Sequence, residues 1–509
     1  MTDAVRRASA APVDTDATAE PVRVRFERVA VIVDDAMVTR LRGVCARVDV
    51  DETSRLQAGR DWWPLSVRWA MGGEVPARAG AVARPATATE VAAVLAVCSE
   101  AQIPVTAAGG RSGVCGNAVP LFGGVALDTT GLSGIAAVDS DSLLVDVRAG
   151  TFGDQLEADL RRAHGLTLGH WPQSIALSTV GGWLACRSAG QFSTRYGKIE
   201  DMVVGLEVAL ADGRVVHTGG QAPRAACGPD LNQLFVGSEG TLGVITEARL
   251  RAAPAPTAES RSAYGFASFA DGLDACRRML RRGARPAVLR LYDAAESSRS
   301  FGRSDGCVLL VADEGDPRII ASTMRVVDEE AATARRLESE LVDQWMEERS
   351  DTSALEMAVR LGLTVDTIEV AARWSALAAV HREAIDALQR IDGTVVASAH
   401  QSHAYADGAC LYFTFAGHPA ADGASGSIVN AADSYYRRAW DAVVSVITAH
   451  GGALSHHHGV GLNRGRYLAG ALGPAFDVLG AVKAALDPAG VLNPGKLGLP
   501  SPFGEVPWP

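Results

Sequence analysis

Three consecutive histidines, His456, His457 and His458, sit in the segment Gly451–Gly461 (GGALSHHHGVG), framed by glycine and apolar residues. Imidazole is the side chain best suited to take or give a proton near neutral pH. As metal ligands the three are awkwardly spaced. Neighbours in an extended segment point to opposite faces, and a metal wants i,i+2 or i,i+4 pairs or partners elsewhere. The tract therefore reads as a proton-handling group, with no metal expected; a polar loop tip is the plain alternative. Tyr412 lies in the apolar run Cys410–Ala416. A buried tyrosine hydroxyl needs a partner, and by residue type alone this one reads as core. Arg290 stands inside Val288–Asp293 (VLRLYD), and an arginine in an apolar strand must be paired. An anionic substrate group and a structural salt bridge are both open as that partner.

A second set of residues could hold a large ligand. Gly109, Gly110, Arg111, Ser112 and Gly113 form a turn after a strand. Such a turn can aim several backbone N–H groups at one pyrophosphate. It is neither GxGxxG with a following acidic residue nor a Walker motif, and a plain surface turn is its alternative. Gly169–Gly190 (GHWPQSIALSTVGGWLACRSAG) gathers Ser174, Ser178, Thr179, Gly181, Gly182, Ser188 and Gly190. Small and hydroxyl residues of that kind let backbone pass close to a ligand, or simply pack a tight loop. Gly237–Ile245 (GSEGTLGVI) repeats the theme before a strand. Three such loops in one stretch point to a large, flat cofactor.

The elements that must position these residues alternate at short spacing. Thr87–Ser99 reads as a helix capped by Thr87, with Val91, Val94, Leu95 and Cys98 as its apolar stripe. Ile103–Ala107, Gly124–Thr129 and Leu143–Arg148 read as strands, and Thr151–Ala163 as a helix with Thr151 and Asp154 as a weak capping box. Ile199–Leu210 and Arg214–His217 read as a hairpin through Ala211–Gly213, followed by a strand at Val244–Arg251. Ala252–Thr257 (AAPAPT) is a linker. Beyond it, Ala263–Phe269, Ala287–Tyr292, Thr394–Ala399 and Ala409–Ala416 read as strands. Ala270–Arg281, Val326–Val359 with breaks, Ala372–Arg390, Asn430–His450 and Pro474–Leu486 read as helices. Upstream, Val31–Cys45 has helical spacing, and the paired tryptophans of Asp61–Pro64 (DWWP) are expected to pack on another domain.

The chain has 509 residues, room for two or three cores. Its 48% hydrophobic and 21% charged content is that of a globular protein, and a net charge of −11 argues against wrapping nucleic acid. Eight cysteines without a CxxC pair do not form a disulfide framework, and no apolar run reaches the roughly 18–20 residues of a membrane span. Met1–Glu20 lacks the apolar core of a signal peptide and reads as a disordered lead-in. A cytoplasmic protein is expected.

Five segments in order carry a family resemblance: Gly181-Gly182-Trp183, YGKIED at Tyr196–Asp201, GSEGTLGVITE at Gly237–Glu247, DGACLYFTF at Asp407–Phe415, and GGALSHHHGVG. Across roughly residues 60–500 the chain resembles the vanillyl-alcohol oxidase superfamily, whose FAD-binding domain is of the p-cresol methylhydroxylase (PCMH) type. Within it the chain is most similar to the alkyldihydroxyacetonephosphate synthases. The resemblance implies an α+β fold with a two-subdomain PCMH-type FAD-binding domain, an α+β substrate (cap) domain and a helical C-terminal segment. The expected divisions are an N-terminal arm at 1–84, the FAD-binding domain at 85–257, the cap at 258–440, and a segment at 441–509 that returns to the flavin.

It implies further that Thr106, Ala107, Ala108, Gly109, Gly110, Arg111 and Ser112, with Gly113, wrap the FAD pyrophosphate. Gln173, Ser174, Ser178, Thr179 and Gly182 would line the flavin and ribityl chain, with Cys186, Arg187, Ser188 and Ala189. Glu239, Gly240, Thr241, Gly243, Val244 and Ile245 would hold the adenine side. No His stands in the first turn and no Cys near position 176 in the second loop, so FAD is expected to be non-covalent. Tyr412 takes the place of the family's catalytic tyrosine. One departure concerns an arginine that handles the phosphate-bearing substrate in the synthases. His400 stands at the matching position, with Gln401 and His403 nearby; His400 or His403 could serve as substrate ligand or as an extra base. Two reactions follow. One is FAD-dependent oxidation of an alcohol or 2-hydroxy acid by hydride transfer to flavin N5, with an unidentified electron acceptor. The other is a redox-neutral exchange of acyl for alkyl through a flavin N5 adduct, as in ether lipid synthesis. The expected partner is a small-molecule substrate, and a homodimer is left open.

Overall fold

The computed structural model describes residues 22–27, 30–219, 222–419 and 428–508. The N-terminal lead-in at 1–20 lies outside the described residues.

Alternation with a period of two builds the largest layer. Seven antiparallel strands run in the order Arg335–Leu337, Ala258–Phe266, Cys307–Gly315, Val288–Tyr292, Thr394–Ala404, Gly408–Gly417 and Thr364–Arg373. One face carries Leu289, Leu291, Ile368, Val370, Leu411, Phe413 and Phe415, all buried in one core with the helices Phe269–Arg281, Pro317–Glu330, Trp374–Gln389 and Ile428–Ala449. Successive side chains on a strand point to opposite faces. The residues between those apolar positions, Arg290, Thr367, Glu369 and Tyr412, therefore share the other face. A register shift between Gln401 and His403 interrupts the pairing at the site; such a bulge re-aims side chains.

Besides two-stranded pairings, two smaller sheets of four and five strands lie in the N-terminal half. A four-stranded, mostly parallel sheet runs Val48–Asp49, Ala81–Ala83, Val125–Asp128, Val105–Ala108. A five-stranded antiparallel sheet runs Val215–His217, Val203–Ala209, Val244–Arg251, Leu144–Arg148, Ile135–Asp139. The linker at Ala252–Thr257 is lashed back: Ala253–Pro254 pairs with Leu166–Thr167. The C-terminal segment also returns, with Val105 N–H donating to Val491 O and Asn493 N–H to Val105 O. Trp63 is fully buried, edge-on to Trp69 and Trp508, and its indole N–H donates to the Tyr436 hydroxyl. Among the described residues no single helix is long and apolar enough to cross a membrane.

Several sequence expectations are corrected. The helix near residue 31 spans only Asp35–Arg42, because Asp34 caps it by accepting from Met37 N–H. Ile199–Met202 is a helical turn rather than strand, closed by Asp201 accepting the Lys198 N–H. The region at 326–359 is broken by Arg335–Leu337, a strand recruited by pairing with 263–265. Thr364–Arg373 is a ten-residue strand that the helical reading of 372–390 hid; that helix begins at Trp374. The central strand Cys307–Gly315 was not anticipated, since a short continuous apolar run carries no period. The Thr151/Asp154 box does not form. Thr151 Oγ1 donates to Arg148 O and accepts from Gly134 N–H, and the helix is capped at Phe152 without a side chain. Thr87 does cap its helix, accepting the Glu90 N–H.

Candidate active site

A cavity of about 800 Å³ lies between the glycine-rich loops and the polar face of the seven-stranded sheet. On the loop side it is lined by Ala107, Ala108, Gly109, Gly110, Arg111, Ser112 and Gly113, by Gln173, Ser174, Ser178, Thr179 and Gly182, by Cys186, Ser188 and Ala189, and by Glu239, Gly240, Gly243, Val244 and Ile245. Three residues expected there are not in its wall. Thr106 is buried in its strand, and Thr241 turns its hydroxyl to Ser238 O. Arg187 is held by Gln233 and Glu200.

The glycines are required by contact. A Cβ on Gly109 would stand 2.1 Å from Thr179 Oγ1, and one on Gly110 would stand 1.8 Å from Leu177 O. The first two loops therefore pack directly on each other, Gly109 against the Thr179 hydroxyl and Gly110 against the Leu177 carbonyl, with no room for a Cβ at either glycine. Arg111 takes a left-handed φ of 54°, and its Nη1 lies 3.4 Å from Asp128 Oδ2. Its Nε and Nη2 are buried without a partner among the described residues. Burial pushes Asp128 up, but Arg111 and Arg84 outweigh it and hold the carboxyl below its usual range. Two unsatisfied guanidinium donors in a glycine-walled groove fit an anionic dinucleotide such as FAD. Glu239, also left-handed at φ 51°, accepts the N–H groups of Val460 and Gly461. The third loop is thereby fastened to the segment just after the histidine tract.

The sheet side contributes Arg290, His400, Ser402, His403 and Tyr412, joined by His457 and His458. His456 is not in the wall. It is buried, stacked on His403 and Tyr405, with its Nδ1 3.0 Å from His457 Nδ1. Three residues that sequence reasoning missed hold this side together. Glu369 is wholly buried and accepts from the backbone N–H groups of His456, His457 and His458, from Ser455 Oγ and from Arg464 Nη1. Burial raises its pKa, yet Arg464 and His458 outweigh that and hold it below the usual value. Glu296 accepts from His400 Nδ1 at 2.9 Å, and Thr367 donates to the Tyr412 hydroxyl at 3.1 Å. The signal for Glu369 was a carboxylate inside an alternating apolar strand, which has to be paired.

Titration states follow from burial. Burial lowers the pKa of His403, His456 and His457 far below the ordinary range, reinforced by neighbouring cations and histidines; it takes His458 to about 4 despite Glu369. Burial, with Glu369 and Asp366 nearby, keeps the Tyr412 phenol protonated. His400 is committed at both nitrogens: Nε2 accepts from Arg290 Nη2 at 2.5 Å while Nδ1–H serves Glu296. Both of its ring nitrogens are therefore engaged, and it links Arg290 to Glu296. Arg290 also donates to Tyr292 Oη and lies over Trp345, and among the described residues no carboxylate is within 4.0 Å of it. A guanidinium thus stands beside His400, that of Arg290 on the adjacent strand.

Glu369, Cys410, His456 and His457 bring potential metal ligand atoms within 4.8 Å of one another. A carboxylate offers about four lone-pair directions. Glu369 already accepts from the five donors named above.

Residues 79–219 match the family described as FAD binding domain, and residues 255–497 match FAD linked oxidases, C-terminal domain. An uncharacterized FAD-linked oxidoreductase of Escherichia coli O157:H7 is 32% identical, over 73% of this chain and 79% of its own length. An alkyldihydroxyacetonephosphate synthase of Caenorhabditis elegans is 30% identical, over 73% and 67%. A D-lactate dehydrogenase of Archaeoglobus fulgidus is 27% identical, over 82% and 90%. A solved alkyldihydroxyacetonephosphate synthase shares the fold with a TM-score of 0.73 at 23% identity, over 95% of this chain and 88% of that one. On these likenesses the chain belongs to the FAD-linked oxidases and is an FAD enzyme.

Proposed function

We propose that this enzyme oxidises a small hydroxyl-bearing anion, a 2-hydroxy acid in preference to a neutral alcohol. The observation that carries the proposal is the placing of Arg290, Tyr412, His457 and His458 in one wall of the cavity that the FAD loops form on the other side. FAD, when bound, supplies the acceptor for the two electrons of the substrate C–H bond. Arg290, with no carboxylate among the described residues within 4.0 Å although Glu296 feels its charge through space, binds the substrate anion. Tyr412, protonated, donates a hydrogen bond to the substrate oxygen. His457 or His458, neutral at physiological pH, takes the hydroxyl proton on a ring nitrogen. A phenol kept protonated is the poorer base, so the histidines carry that step. The D-lactate dehydrogenase likeness supports a hydroxy-acid substrate. The buried Cys115 and half-buried Cys186 thiols, both pushed up by desolvation, favour FAD held without a covalent bond.

A second reading, the redox-neutral exchange, gains from one observation. Arg290 beside His400 provides the cation that a phosphate-bearing substrate needs. Anaerobic mixing of the yellow protein with D-lactate, glycolate, simple alcohols and acylated dihydroxyacetone phosphate separates the two. Bleaching of the flavin by a hydroxy acid supports oxidation. Turnover of the acylated compound with the flavin still oxidised overturns it.

A further inference from the structure

We infer that Glu369 is the positioning residue of the histidine tract, holding His457 and His458 toward the cavity and His456 away from it. The inference rests on the proton-handling role proposed above for those two side chains.

In an extended segment His456 and His458 would share one face and His457 the other. The structure instead turns the tract around a single anion. The N–H groups of His456, His457 and His458 all converge on the Glu369 carboxylate, a concave nest of successive backbone donors. That curvature lets the adjacent His457 and His458 both reach the cavity wall. His457 lies with its ring 6.2 Å from that of Tyr412, and His458 meets Tyr412 edge-on at 5.6 Å. His456 is left behind them, and its carbonyl accepts from Lys198 Nζ at 2.5 Å.

The anion is itself fixed. Arg464, fully buried, donates from Nη1 to Glu369 Oε1 at 2.7 Å and to Leu454 O at 3.0 Å, with its guanidinium over Trp440. Ser455 Oγ donates to the same carboxylate oxygen at 2.7 Å. Glu369 also stands 3.7 Å from His457 Nδ1 and 3.8 Å from His458 Nδ1. It therefore faces the imidazolium that proton uptake on either ring would create. The other ionisable groups around the tract are Lys198, His403, Tyr405, Cys410 and Tyr412.

The test reads ring presentation, so it does not depend on knowing the substrate. The FAD-loaded protein is treated with diethyl pyrocarbonate near pH 7, and acylation of each histidine is followed by peptide mass spectrometry. In the wild-type protein His457 and His458 are expected to react roughly tenfold faster than the buried His456. In Glu369→Gln the amide has one acceptor oxygen and a donor aimed at Arg464 and the N–H groups. The tract is released, and the difference between His456 and its neighbours shrinks to less than about threefold. Glu369→Asp keeps the charge and is expected to restore most of the wild-type pattern. A yellow Glu369→Gln protein with the wild-type pattern overturns the inference. So does equal loss of flavin and soluble protein in both variants, which would make Glu369 a core ion only. Failure of the oxidation proposal shows separately, in a flavin that hydroxy acids do not bleach.

Discussion

Gly110→Ala isolates what the glycine-rich turn contributes to FAD binding. Gly110 is not in the left-handed region, so alanine costs little in backbone conformation. The whole effect is steric. The new Cβ would stand 1.8 Å from Leu177 O, with Phe152 Cε1 at 3.1 Å. Carbon contacts that short do not occur, so the two loops must part by at least about 1.2 Å. Parting them widens the cavity and shifts Arg111, two of whose nitrogens lie buried without a partner in its wall. Overpacking of this kind costs about 1–3 kcal/mol, which is roughly a 5- to 150-fold rise in Kd for FAD. The measurement is quenching of flavin fluorescence as apoprotein is titrated with FAD. Gly480→Ala is the control. Gly480 sits in the helix Ala475–Leu486 with nothing within 4 Å, so alanine there leaves Kd unchanged and adds up to about 1 kcal/mol of stability. A Gly110→Ala protein whose Kd stays within about twofold of wild type refutes the claim that loop-to-loop contact builds the groove.

Arg464→Met strands the Glu369 charge in the core and should cost about 3–5 kcal/mol at pH 8, read by urea denaturation. The pH dependence reverses in that variant. In wild type Glu369 is held below its ordinary pKa of 4.5, so its contribution is present above that value and lost as pH falls. Without Arg464 burial raises it, so the variant is less destabilised at pH 5 than at pH 8; a flat difference between the two would rule this out. Trp63→Ala removes the ring between Trp69 and Trp508 and should cost about 3–5 kcal/mol, whereas a loss under about 1 kcal/mol would mean that the knot is not core. Thr87→Ala should cost about 1 kcal/mol, because the Glu90 N–H loses its cap, and unchanged stability would contradict that.

Much of the site was legible because its signals are local. Glycine runs mark places where backbone must pass close to something, and three of them in one half of the chain already suggest one large ligand. Period-two alternation around Arg290 and Tyr412 places each on the face opposite an apolar core, and the core at Leu289, Leu291, Leu411 and Phe413 agrees. The Thr87 cap lies within four residues of its partner, so no tertiary contact was needed to predict it. Readings failed where a distant partner decided. The ten residues Thr364–Arg373 become strand because Gly408–Gly417 pairs with them. The Thr151/Asp154 box is lost because Thr151 finds Arg148 and Gly134 instead.

By itself, then, the sequence pointed to the family, the cofactor class and the residue types proposed to handle protons. Only the tertiary structure decided how those residues are placed. Position 400 holds a histidine where the synthases it resembles carry an arginine, and the guanidinium beside it is that of Arg290, 110 positions away on the neighbouring strand. The histidine tract is turned by Glu369, 87 positions before it, so that His457 and His458 reach the cavity and His456 does not. Chain spacing is blind to both. A buried charge finds its partner through sheet pairing and packing, and desolvation makes that partner obligatory wherever in the chain it lies.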